Sequence, residues 1–196
     1  MLALLIAVAG AIGAVGHSQE SSRADADAMQ TKIARVTAAA ETPRAANAAP
    51  LRTSFSEREI NAYFEHYGER FLPAGISNPH AALSGDGRIG ARAIVNLDAV
   101  RRSRERSLLD PLAYLQGSLE VVAAGTIAGS DGRGVIRFES ATVGGVAVPK
   151  ALAQELLRFY TRTPERPGGF QFDQPLDLPA RIEAVSAARG SITVVQ

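Results

Sequence analysis

Apolar and polar positions along this chain fall into three regimes. Residues 1–16, MLALLIAVAGAIGAVG, are apolar almost throughout. From Ser18 to about Pro50 the chain is rich in Ala, Ser, Asp and Thr, with Ile33 and Val36 the only large aliphatics between Gln30 and Ala49. After Pro50 the two classes recur with regular periods. In FSEREINAYFEHYGERF the apolar residues Ile60, Tyr63, Phe64, Tyr67 and Phe71 make one stripe at helical spacing. Ser56, with Glu59 three residues on, has the signature of a capping box, and Phe55 and Ile60 stand where a hydrophobic staple needs them. Pro73 and Gly75 predict where this helix stops.

Three hairpins are predicted next. AALSGDGRIGARAIVNLD has a Gly-Asp-Gly turn before a strand with Ile89, Ala91, Ala93, Val95 and Leu97 on one face. SLEVVAAGTIAGSDGRGVIRFESATV has a Ser-Asp-Gly turn, with Ile136 and Phe138 alternating against Arg137 and Glu139. ARIEAVSAARGSITVVQ forms a third pair around Arg189 and Gly190. Between the last two, VGGVAVPKALAQELLRFY changes period. Gly144-Gly145 permits a sharp bend, Pro149 suits a helix start, and Leu152, Leu156, Phe159 and Tyr160 lie on one side at helical spacing. This predicts a helix that folds back on the sheet. The small residues Ala123, Ala124 and Gly125 predict either a closely packed helix or room for a ligand.

The fold class that follows is α+β: a mostly antiparallel, curved sheet of about six strands in three hairpins, packed on one or two amphipathic helices. Residues 1–16 are read as a signal peptide or short N-terminal anchor, because the apolar run is shorter than a comfortable bilayer span and Ala14-x-Gly16 precedes polar sequence. The expected localisation is therefore exported, periplasmic or cell envelope, with anchoring in the inner membrane as the alternative fate of that segment. Residues 17–50 are read as a flexible tether, transiently helical near residues 24–40, and 51–196 as a single domain.

Composition narrows the chemistry. The 196 residues are 46% hydrophobic and 21% charged, with a formal net charge of +1, which gives no reason to expect a nucleic-acid partner. The absence of Cys excludes disulfides, thiolate metal sites and a Cys nucleophile. There is no G-x-S-x-G elbow and no P-loop, and the only histidines are His17, His66 and His80. His66 stands beside Glu65 and three before Glu69 on one helix, with no further ligand from elsewhere in the chain to complete a metal site, and Asp173 and Asp177 flank prolines as turn-shaping acids do. No catalytic residue, cofactor or metal site is expected.

The segment 98–117, DAVRRSRERSLLDPLAYLQG, sets Arg101, Arg102, Arg104 and Arg106 before Leu108 and Leu109. Cationic residues followed by aliphatic ones suit contact with an anionic membrane surface. They equally suit a solvated basic turn leading into a core helix.

The stretches GVIRFESATVGGVAVPKALAQELL and FDQPLDLPARIEAVSAARGSITVV together resemble small exported bacterial domains of the LmeA-like phospholipid-binding kind, related in style to tubular lipid-binding domains. The shared features fall at residues 143–150 and 178–182. The resemblance implies a curved sheet wrapped on a helix, an apolar groove for acyl chains and no catalytic residues. The expected function is thus a non-enzymatic envelope domain binding phospholipid or another apolar ligand. Ile94, Val95, Val122, Phe138, Leu152, Leu156 and Phe159 are the candidate groove residues, and equally candidates for plain core. The alternative is an envelope protein-interaction module, an accessory subunit or inhibitor, using an exposed sheet edge or the segment 98–117.

Overall fold

The computed structural model describes residues 22–42, 48–102, 117–164 and 166–196. Helix α1 (Arg23–Glu41) is followed by strand β1 (Arg52–Ser56), helix α2 (Glu57–Tyr67), and strands β2 (Ile76–Gly85) and β3 (Arg88–Asn96). A short helix α3 (Leu97–Arg102) precedes β4 (Ser118–Ser130), β5 (Arg133–Val143) and β6 (Val146–Ala147). Helix α4 (Lys150–Tyr160) and strands β7 (Leu176–Asp177), β8 (Ala184–Ala188) and β9 (Ser191–Val195) complete the order. The α+β class and the three hairpins are as the pattern predicts. The antiparallel sheet has nine strands instead of about six, because β1 and the two-residue β6 and β7 are too short to leave a periodic signal. Its main path runs β1-β9-β8-β4-β3-β2, with β5 on the other edge of β4 and β6 and β7 on the outer edge of β5.

The expected capping box of α2 is present. Ser56 accepts from the Glu59 N–H, and the Glu59 carboxylate accepts from the Ser56 N–H. Phe55 and Ile60 both enter the core. The helix ends earlier than Pro73, in a 3-10 turn at Gly68–Arg70, and Phe71 stacks back on Tyr63.

The tether expectation fails for residues 23–41, which form a docked helix. Its N-terminus has a second capping box, between Ser22 and Asp25. Ala26, Met29 and Val36 are fully buried, and Ile33 packs against the core. Spacings of three, four and three residues put these four side chains on one narrow stripe, enough to seat a helix of low mean hydropathy on α2. Polar contacts fix the pose. Lys32 Nζ donates to both Glu59 oxygens at 2.7 Å and to the Ser54 carbonyl at 2.7 Å. Arg58 donates to Asp25 at 2.8 Å, and the Tyr67 hydroxyl donates to Asp27. Burial alone would raise the Glu59 carboxyl, but the hydrogen bonds from Lys32 and Ser56 outweigh it and hold Glu59 below its ordinary range.

Gly125 marks a bulge. Ala124 faces Ser140 while Gly125 faces Phe138, so Glu139 is the extra residue on β5. A Cβ on Gly125 would lie 2.3 Å from the Arg137 carbonyl oxygen. Gly125 thus answers to the backbone of the neighbouring strand.

Candidate functional site

Strand alternation gives the β2–β5 sheet two unlike faces. On the inner face the register aligns rows of apolar residues across the strands. Leu83, Ile89, Gly125 and Phe138 make one row, and Ile127 and Ile136 lie beside it, in the core under α1 and α2. The next row is Ala81, Ala91, Ala123 and Ala141. Beyond it lie Ala93, Val121, Val143 and Val146, and then Ile76, Val95 and Leu119. Along this direction burial declines. Leu83, Ile89, Ile127 and Ile136 are buried, Val95, Leu119, Val121 and Val143 are half-buried, and Val146 is 71% exposed. Among the described residues, no element buries this end of the apolar face as α1 and α2 bury the other.

The outer face is polar. His80, Arg92, Val122 and Thr142 form one of its rows, and Ile94 lies opposite Glu120. Burial first, and the neighbouring Arg92 second, lower the His80 pKa and favour the neutral imidazole. Arg88 and Arg137 flank Thr126, and Arg88 lies 3.8 Å from Glu139.

The seven candidate groove residues therefore do not converge. Val95 and Phe138 are on the inner face, while Ile94 and Val122 are on the opposite one, among arginine and threonine. A one-residue step along a strand changes face, and hydrophobicity alone cannot fix which way each strand points. Leu152, Leu156 and Phe159 are on α4. None of the seven is fully buried. Leu119, Val121, Val143 and Val146, which the register adds to the apolar face, are not among the seven candidate groove residues. Their signal was there in the alternation of LEVVAAG against GVIRFESATV.

Helix α4 does not close the face. It starts at an N-cap Pro149 and lies beside β5, and none of its described side chains is fully buried; Leu152 is 46% exposed. It is clipped instead to the loop that follows. Gln154 accepts from the Phe172 N–H at 2.8 Å and donates to the Phe170 carbonyl at 3.1 Å, Thr161 Oγ1 accepts from the Phe170 N–H at 2.7 Å, and Lys150 pairs with Asp173 at 2.5 Å. Phe172 in turn packs on Phe138, with ring centroids 5.1 Å apart. A face needing a tight seal would bury its covering helix; this helix is fastened at its ends and along one polar side.

Sheet edges offer little to a partner strand. Lys32 takes the Ser54 carbonyl on β1. On β2, the Asn61 amide pairs with both backbone groups of Ala81, and Glu57 accepts from the Leu83 N–H at 2.6 Å. Farther along β2, the register breaks between Ser77 and His80, around Pro79 and the positive-φ Asn78. Along β5, β6 and β7 pair with its two ends and the Asp173 N–H donates to the Ile136 carbonyl. Side chains, bulges and short strands are the usual means of keeping an edge from pairing.

Arg101 and Arg102 belong to α3, whereas Arg104, Arg106, Leu108, Leu109 and residues 1–16 lie outside the described residues. Among the described residues no three His, Asp or Glu side chains are grouped as a metal ion would require, and no helix is long and apolar enough to cross a membrane. The chain matches no protein-family model, no curated protein and no solved structure.

Proposed function

We propose that this protein is a non-enzymatic, exported envelope domain that binds the acyl part of a lipid along its inner sheet face. The observation that carries this reading is the thinning cover of that face, from the buried rows through the half-buried Val121, Val143 and Val95 to Val146, which is 71% exposed. A protein in water hides such a surface unless something else occupies it. The resemblance to LmeA-like phospholipid-binding domains points the same way. Each buried methylene contributes about 0.8 kcal/mol, so an acyl chain lying on these rows gains enough to bind without any polar contact. The alternative of strand addition by a protein partner finds little support, since the sheet edges are blunted.

Native mass spectrometry of the gently purified full chain tests the proposal. A stoichiometric lipid adduct removable by organic solvent is the expected result. Replacing Val95, Val121 and Val143 by Thr keeps shape and strand propensity while adding hydroxyls to the face. That variant should fold and lose the adduct. A wild-type mass still bare after incubation with phosphatidylethanolamine and phosphatidylglycerol would reject lipid binding.

A further inference from the structure

The segment that carries α4 has both its ends fixed to one strand edge. Before it, β5 and β6 are joined by Gly144 and Gly145, both at positive φ (58° and 79°), as a two-residue hairpin turn requires. The bend expected at this dipeptide is thus a full reversal. The Val148 N–H then donates to the Ala141 carbonyl at 2.8 Å, and at the other end Leu176 on β7 pairs with Gly134. The chain therefore leaves the outer edge of β5 at Ala141 and returns to that edge at Gly134, about 23 Å along the strand at ordinary strand rise.

Between these two stalks the segment is fastened to itself. Gln154 holds the Phe170 carbonyl and the Phe172 N–H, Thr161 takes the Phe170 N–H, and Lys150 reaches Asp173. Thr163 and Arg166 exchange backbone hydrogen bonds, and the Arg166 guanidinium lies 3.9 Å from the Phe170 ring centroid. Gly169, at φ 65°, packs so closely on Arg158 that a Cβ there would lie 2.2 Å from the Arg158 carbonyl oxygen. Helix and loop are clipped into one piece.

Its hold on the body is slighter. From 149 to 173 no described side chain is fully buried, and none belongs to the buried core cluster; Phe172 alone among them packs against it. The Phe172 ring lies on Phe138, with centroids 5.1 Å apart, and the Asp173 N–H donates to the Ile136 carbonyl at 2.9 Å. Both contacts are to β5, between the stalks. A swing about the β5 edge would part these contacts and the half-buried packing of α4 beside β5, and leave every internal clip in place. Backbone change would be needed only near Val148–Pro149 and Gln174–Pro175, as hinges of a few element-terminal residues allow.

We propose that the described residues from 149 to 173 are a flap that swings as one piece about the outer edge of β5 and admits an acyl chain to the inner face. Phe138 shares its row with Leu83, Ile89 and Gly125. Lifting Phe172 from it therefore opens a path from the half-buried Val121 and Val143 toward the buried rows. Admission of a chain rests on the lipid reading above; the swing does not.

Hydrogen exchange on the full chain, without lipid, tests the swing. Amides of α4 and those of Phe170 and Phe172 should share one opening, with protection within about threefold of each other and at least about 100-fold below that of the β4–β5 amides, as a cooperative unit of low stability requires. Phe172→Ala should speed exchange throughout α4 by at least about tenfold and leave β4–β5 unchanged, because it loosens the whole piece. Protection of α4 equal to that of β4–β5, exchange graded inward from the helix ends, or an unchanged α4 in Phe172→Ala would overturn the proposal. Native mass spectrometry then times uptake of added phosphatidylglycerol. The adduct should form at least about threefold faster on Phe172→Ala than on wild type, as expected where opening limits entry. Equal rates on a flap that swings would remove its role in admission. A swing with no adduct on either chain refutes the lipid reading and leaves the hinged piece standing. An adduct on a chain whose α4 is as protected as β4–β5 refutes the flap alone.

Discussion

The two halves of this sheet have similar apolar inner faces but differ in what lies over them. Over β1, β9, β8 and the near ends of β2 to β5, helices α1 and α2 bring Met29, Val36, Ile60 and Phe64 into one buried cluster with Leu83, Ile89, Ile127 and Ile136. At the far ends of β3 to β5, the same alternation continues through Val95, Val121 and Val143, yet the helix alongside fully buries none of its described side chains. The strand pattern alone is therefore a poor guide to core. A residue on the apolar face becomes core only where a second layer arrives, and α1, the element that brings much of that layer, has few large apolar residues.

The most severe way to break this contrast is to delete residues 22–42. Losing Met29, Ile33 and Val36 at about 1.5–3 kcal/mol each removes about 5–9 kcal/mol, comparable with the whole stability of an ordinary domain. Chemical denaturation should show a chain that is largely unfolded. Full retention of stability would mean that α1 only rests on the surface. A milder comparison sets Ile60→Ala against Val121→Ala. Ile60 is fully buried and its truncation should cost about 3 kcal/mol. Val121 is half-buried and should cost about 1 kcal/mol or less. Equal costs, read from urea midpoints, would show that the far face is as tightly packed as the near one.

Lys32→Met should cost about 2 kcal/mol, since it leaves the mostly buried Glu59 carboxylate without its main partner. The same contact sets a pH dependence. Because the Glu59 pKa is lowered on folding, its contribution is complete above the ordinary glutamate value of about 4.3 and is lost as pH falls through the folded value. The stability difference between wild type and Lys32→Met should therefore narrow in acid. A difference that is the same at pH 3.5 and pH 7 would remove Glu59 from the account. The smallest expected effect on stability is that of Val146→Ser, within about 0.5 kcal/mol, because the side chain is 71% exposed.

Much of the architecture was legible because it depends on local chemistry. Asp-Gly turns placed two hairpins, the Arg189–Gly190 turn placed the third, and the Ser56–Glu59 box placed α2. What escaped depends on pairing over distance. Helix α1 read as a tether because its composition is poor in large apolar residues, although Ala26, Met29, Ile33 and Val36 have the spacing of a docking stripe. Ile94 and Val122 read as groove residues because they are apolar, and only the register with Glu120 and Arg92 puts them on the polar side. The bulge at Gly125 could not be read from one strand, since the extra residue, Glu139, is on its neighbour.

The pairing of β1 with β9 has a consequence for the order of events in folding. Arg52 lies opposite Val195, and Gln196 exchanges backbone hydrogen bonds with Leu51 while its side chain donates to the Val36 carbonyl on α1. A growing chain can close the β2–β3 and β4–β5 hairpins soon after they emerge, because their contacts are local. The half covered by α1 and α2 must wait until residues near 195 arrive, and so pays the loop-closure entropy of nearly the whole chain in its last step. Until then Phe55, which lies opposite Ile192, lacks its partner strand. The interval between synthesis of β1 and synthesis of β9 is when this protein is most open to chaperones and to aggregation.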